Sequence, residues 1–144
     1  MSFPKVICMG EALVDRLGPL GGDPLLSKPV HDCFGGAPAN VACALGKLDV
    51  DVAFVGCLGD DSMGRDFKIL MTNRGVNTEG CQKNKSSPTR VVLVRRDLDG
   101  ERSFGGFDGD KGLGFADQMI SSKILADKWD ILSTEAQWLL LGTI

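Results

Sequence analysis

Gly35-Gly36 runs directly into Ala37-Pro38-Ala39-Asn40, and this short stretch carries the clearest chemistry in the sequence. Pro38 suits the first turn of a helix, where its missing N–H costs nothing. A helix opening here offers free backbone N–H groups at its N-terminus, and two residues without Cβ atoms let a ligand lie against the main chain. Asn40 falls one turn later, where its amide can both donate and accept a hydrogen bond at the same spot. A hydroxyl, itself donor and acceptor, is the matching partner. A bare glycine pair is also an ordinary turn before a helix, so on these residues alone both readings stand.

Other chemistries are easier to remove. His31 is the only histidine, so any histidine-based catalytic pair must use it, and no nucleophile elbow surrounds it. Histidine clusters for metal are excluded. The cysteines, Cys8, Cys33, Cys43, Cys57 and Cys81, are odd in number and lack a CxxC spacing. They read as reduced, mostly buried thiols. Asp97-x-Asp99 and Asp108-x-Asp110 lack the glycine and glutamate of a calcium loop. No Gly-Lys-Ser/Thr phosphate loop occurs, and Gly10 is not followed by the second glycine of a dinucleotide fingerprint.

Composition narrows the class further. The chain has 144 residues, 43% hydrophobic and 24% charged, enough for a globular core. A net charge of -3 leaves no basic footprint for nucleic acid. The first ten residues are too short for a signal segment or a membrane span, so no membrane partner is expected and the expected location is cytoplasmic.

The elements that must position Gly35, Gly36 and Asn40 follow from periodicity. Val6 to Met9 is wholly apolar and predicts a strand buried on both faces. Gly18 to Pro29 predicts a loop or a loosely paired excursion. After the glycine pair, Val41, Ala44, Leu45 and Leu48 recur at helical spacing, while Ala39, Ala42, Cys43 and Gly46 allow close approach to neighbours. Val52 to Leu58 predicts a second buried strand, Ser62 an N-cap, and Met63 to Arg74 a helix ended by Gly75. Thr89 to Arg96 and Glu101 to Phe104 predict a hairpin around Asp97-Leu98-Asp99-Gly100. Residues 105–114 predict a loop, 116–126 a helix, and 137–144 a final apolar strand. Alternating strands and helices predict an α/β fold with a mostly parallel sheet. In such sheets ligands bind beyond the carboxyl ends of strands. A last strand with no loop after it suggests a chain cut within its fold.

Gly36-Ala37-Pro38-Ala39-Asn40-Val41-Ala42 and Val55-Gly56-Cys57-Leu58-Gly59-Asp60-Asp61-Ser62-Met63-Gly64 resemble the N-terminal signature of the ribokinase–fructokinase family of carbohydrate kinases. Gly10-Glu11-Ala12-Leu13-Val14-Asp15 is similar to that family's opening, and Gly100-Glu101-Arg102-Ser103-Phe104 to its fructokinase branch. One position and one segment depart. Asp49 stands where the family has Gly or Ser, a turn that aspartate tolerates in the left-handed conformation. Gly105-Gly106-Phe107-Asp108-Gly109-Asp110 replaces the aromatic and basic residues of the fructokinase branch, which bears on the identity of the sugar.

The resemblance implies a ribokinase-like fold in which residues 1–144 form the N-terminal part of one carbohydrate kinase domain, with its C-terminal half absent. It implies a small β lid from segments near 17–33 and 89–107. Asp15 would accept hydrogen bonds from sugar hydroxyls, Gly35, Gly36 and Asn40 would lie along the sugar, and Phe104 would wall the pocket or fill the lid core. Arg102 is set aside as a solvated turn residue. The implied reaction is transfer of the γ-phosphoryl of ATP, with Mg²⁺, to a hydroxyl of a sugar, fructose first and ribose or another small sugar next. Activation by a monovalent cation and a homodimer formed through the lid belong to the same expectation. The family's Gly-Ala-Gly-Asp, which supplies the anion hole and the base, does not occur in this sequence, so no catalytic residue is expected within it. Two other readings are an inactive sugar-binding or scaffold protein of the same fold, and an ordinary nucleotide-binding α/β domain.

Overall fold

Strand β1 (Val6–Met9) and strand β4 (Val52–Gly59) lack a polar face, and both become interior strands of a parallel sheet. The computed structural model describes residues 3–142. Strand β5 (Cys81–Asn84) and strand β8 (Trp138–Leu141) complete that sheet in the order β5-β4-β1-β8, with every pairing parallel. Side chains alternate across it. Cys8, Val52 and Phe54 meet helix α1 (Ala37–Lys47) and helix α2 (Ser62–Asn73) on one face, through Ala39, Ala42, Cys43, Phe67 and Met71. Ile7, Ala53 and Val55 pack on the other against Leu125, Trp129 and Leu132 of helix α3 (Ser122–Ser133).

The small residues of α1 act as expected: a Cβ on Gly46 would collide with the Arg74 carbonyl at the end of α2. Asp49 does adopt the left-handed conformation, with φ of 57°, and Gly75 closes α2 with φ of 80°. Cys8, Cys43, Cys57 and Cys81 are buried free thiols, whereas Cys33 is exposed. Burial pushes the Cys8 and Cys57 thiols up to about 11.

A second sheet forms the lid, in the order β3-β2-β6-β7. It comprises strand β2 (Leu13–Leu20), strand β3 (His31–Gly35), strand β6 (Val91–Arg96) and strand β7 (Arg102–Asp108). Its extent differs from the sequence expectation. The lid begins at Leu13, so Asp15 lies within a lid strand, and the expected loop from Gly18 begins only after Leu20. Strand β2 is masked in the sequence because Asp15, Gly18 and Pro19 are poor strand formers. It is held by antiparallel pairing with β3 and parallel pairing with β6. Strand β7 runs through Gly105 and Gly106 to Asp108 rather than ending at Phe104, with an irregular register between Val92 and Val94 to absorb the glycines.

Three local boundaries also shift. The N-cap of α2 is Asp61, whose Oδ1 accepts from the Gly64 N–H at 2.8 Å, and Ser62 is the first helical residue. The helix expected over 116–126 splits into a 3₁₀ turn (Ala116–Gln118) and α3. Ser121 caps α3 and therefore restarts the helix there. Strand β8 ends at Leu141, and the expected continuation over Thr143 and Ile144 lies outside the described residues.

Candidate functional site

Asp15 stands on β2 beside Cys33 of β3 and Val92 of β6. Asp15, Leu17, Val92, Val94, Cys33, Phe104, Arg102 and Ser103 line a cavity of about 340 Å³ on the lid. Its walls are mostly aliphatic and aromatic, and the Asp15 carboxylate is its ionisable acceptor. Burial raises the Asp15 carboxyl above the usual aspartate range, and nearby Arg102 partly offsets this. Phe104 is 65% exposed and stacks edge-on against Phe107, so its ring is a cavity wall rather than lid core.

The glycine pair joins this lid strand to the sheet domain. Gly35 is the last residue of β3, and its bare Cα faces Asp15; a Cβ there would lie 2.5 Å from Asp15 Oδ2. Gly36 is the N-cap of α1 with φ of 98°, and a Cβ there would lie 2.6 Å from the Glu11 carbonyl oxygen. At Gly36 both the left-handed backbone and the Glu11 carbonyl call for glycine, whereas at Gly35 a Cβ would meet only side chains, the Asp15 carboxylate first. Asn40 sits on the first turn of α1, where its N–H donates to the Gly36 carbonyl at 2.9 Å. Its side chain is exposed and lines neither the Asp15 cavity nor the second cavity.

That second cavity, of about 320 Å³, opens beyond the carboxyl ends of β1 and β8. It is lined by Met9, Gly10, Leu141 and Gly142 at the strand ends and by Glu11, Arg90, Asp117, Gln118 and Ile120. This is where open α/β sheets place ligands. Arg90 precedes β6 and shares its parity with Val92 and Val94, so one face of that stretch serves both cavities. The Arg90 guanidinium donates twice to the Asp117 carboxylate, at 2.6 and 2.8 Å. It also lies 4.9 Å from the ring centroid of Phe107 and 4.6 Å from that of Phe115. Both charged side chains are almost wholly buried. Glu11 is buried as well, and its Oε1 accepts from the Ala37 N–H at 3.2 Å, capping α1.

Sequence reasoning singled out Asp15, Gly35, Gly36, Asn40 and Phe104 but not Glu11, Arg90, Asp117 or Arg102. An acidic residue one glycine beyond a buried strand, four residues before another acid, is the one available signal for Glu11. Nothing in the sequence pairs Arg90 with Asp117, 27 positions apart. Among the described residues, no three His, Cys, Asp or Glu side chains converge to hold a metal ion.

A helix-flanked parallel sheet carrying a four-stranded β lid, with an acid on the lid and a glycine-opened helix beneath it, defines the ribokinase-like architecture. Residues 4–142 match the family model described as pfkB family carbohydrate kinase, and the chain belongs to that family. It is 41% identical over 100 residues to fructokinase-2 of Zea mays, a match covering 69% of this chain and 30% of the maize protein. The crystal structure of a fructokinase from Xylella fastidiosa superimposes with a TM-score of 0.79 and 31% identity, covering 96% of this chain and 41% of that one. A structure of fructokinase with bound ATP, from the same organism, gives a TM-score of 0.68 and 35% identity over 85% of this chain and 37% of its own. The chain thus spans about a third of the length of the curated relatives it matches. Among the described residues no helix is long and apolar enough to cross a membrane.

Proposed function

We propose that the protein acts as an ATP-dependent sugar kinase, transferring the γ-phosphoryl group of ATP to a hydroxyl of fructose. The observation that carries this reading is the Asp15 carboxylate, set against the bare Cα of Gly35 and facing an apolar-walled cavity on the lid. In this reading Asp15 accepts hydrogen bonds from sugar hydroxyls, strong because the acceptor is charged. Gly35 and Gly36 let the sugar approach the main chain. Asn40 would have to turn from its exposed position to reach it, and Phe104 covers the apolar face of the ring. Phosphoryl transfer depends on positioning and on charge stabilisation. Asp15 and the glycine turn supply the positioning; the base and the anion hole are assigned to none of these residues.

ATP with Mg²⁺ is the proposed phosphoryl donor, in keeping with the ATP bound to the Xylella fastidiosa relative. Fructose is preferred because the relatives described above are fructokinases. The same lid presents β3 and β7 as open edges, which suits a homodimer formed through it. A cytoplasmic location accords with the five free cysteines.

The test is ADP release by the full-length gene product with a panel of sugars. Fructose should give the highest kcat/KM. A panel in which no sugar stimulates ADP release would overturn the reading, and a preference for ribose would move the substrate within the same family.

A further inference from the structure

Among the described residues, Glu11 Oε2 is a buried side-chain oxygen with no hydrogen-bond partner. Glu11 as a whole is only 8% exposed. Buried acceptors are rarely left unpaired, because their desolvation is then uncompensated. The other oxygen of the same carboxylate is already used at the Ala37 N–H, so Glu11 is anchored and cannot swing out to water without uncapping α1. The unpaired oxygen belongs to a side chain that lines the cavity beyond β1 and β8.

The cavity's own chemistry states what the missing partner is. Its charged side chains are two carboxylates, Glu11 and Asp117, and one guanidinium, Arg90, which Asp117 already engages twice. Among the described residues that line the cavity, no free cation remains to draw a phosphate. Gln118 accepts from the Phe115 N–H through Oε1, which leaves its amide N–H groups to donate. An open acceptor and an open donor, with apolar Ile120 and Leu141 beside them, suit a neutral hydroxyl on a carbon skeleton.

The position relative to Asp15 points the same way. Asp15 abuts Gly35, while Glu11 touches Gly36 through its carbonyl and Ala37 through its carboxylate. Two carboxylates thus stand at either end of one glycine-opened turn. We propose that Glu11 is a specificity-determining residue, whose Oε2 accepts a hydrogen bond from a sugar hydroxyl distinct from those held by Asp15. This assignment rests on the sugar-kinase reading given above.

Glu11→Gln in the full-length gene product is the discriminating variant. It retains an oxygen for the Ala37 N–H and places an amide donor where Oε2 stood. Kinetics are read with fructose and its single-deoxy analogues. The variant's KM for fructose should rise by about tenfold or more while its KM for ATP stays unchanged. One deoxy analogue, discriminated against by wild type, should be discriminated no longer. Identical discrimination in wild type and Glu11→Gln would overturn the assignment. Should Glu11→Gln fail to fold, Ile120→Trp narrows the same cavity without altering Glu11. It should raise the sugar KM alone, and an unmoved sugar KM would overturn the placement. If wild type phosphorylates no sugar, the kinase reading itself fails; if it does and Glu11→Gln changes nothing, only the role of Glu11 fails.

Discussion

The carboxylate of Asp15 occupies the space that a side chain at Gly35 would need: a Cβ built on Gly35 falls 2.5 Å from Asp15 Oδ2. Strand β2 and strand β3 pair so that the candidate sugar acceptor and the glycine opening α1 are locked together. Gly35→Ala therefore acts on Asp15. The backbone at Gly35 is not left-handed, so alanine is tolerated locally, and the displaced group is the carboxylate. A misplacement near 1 Å lowers sugar kcat/KM by about 10²-fold. Steady-state kinetics with an unchanged melting curve is the expected pattern.

Gly36→Ala makes the complementary case. Here φ is 98° and the new Cβ would meet the Glu11 carbonyl at 2.6 Å, so the cost falls on the fold. Strain of this kind destabilises by about 1–3 kcal/mol. Urea unfolding should show the loss directly.

Asp15→Asn separates binding from stability. The folded-state pKa of Asp15 is raised, chiefly by burial, so its charged form is penalised in the native protein. At this residue wild type is most stable below the unfolded aspartate pKa, and that stability is lost as pH rises through the higher folded value. Asparagine does not titrate. The variant should thus gain in stability relative to wild type as pH rises across that window, and hold the gain at neutral pH. Thermal unfolding from pH 3 to pH 7 checks the sign.

Arg90 and Asp117 bind the base of β6 to the 3₁₀ turn beneath two phenylalanine rings. Removing one partner leaves a buried charge, at a cost of about 3–5 kcal/mol. Asp117→Ala should show this in denaturant titration. Replacing both, as Arg90→Met with Asp117→Leu, should cost clearly less than the single change.

Strand β8 is an edge of the sheet, with Trp138 71%, Leu139 51% and Leu141 68% exposed. An apolar open edge templates association. The 144-residue polypeptide alone should self-associate in sedimentation velocity, and Trp138→Lys with Leu141→Lys should reduce it. A monomer with a cooperative transition at high concentration would contradict this.

Much of the sheet domain was legible because β1 and β4 are apolar on both faces and α1 and α2 keep helical spacing with a glycine at the boundary. Strand β5 was not, since Cys81-Gln82-Lys83-Asn84 has no apolar run and is held by backbone pairing to β4. The lid strands β2 and β7 are longer than their sequence suggests for a similar reason. Arg16 of β2 spends its charge on Asp32 and Asp108, a tertiary arrangement that looks like loop polarity in one dimension. The Arg16 hydrogen bond also holds the Asp32 carboxyl below the usual range. At the site, residues that belong to a local motif were found: Gly35, Gly36 and, through the resemblance, Asp15. Glu11, Arg90 and Asp117 meet only when separate segments converge beyond the sheet, so spacing carries a faint mark of Glu11 and none of Arg90 or Asp117.

Fructose-dependent ADP release by the full-length gene product, wild type against Asp15→Asn, tests the account most directly. Loss of a charged hydrogen bond should lower kcat/KM for fructose by about 10- to 100-fold while the protein stays folded. A folded Asp15→Asn variant with wild-type kcat/KM would show that the sugar does not bind at Asp15.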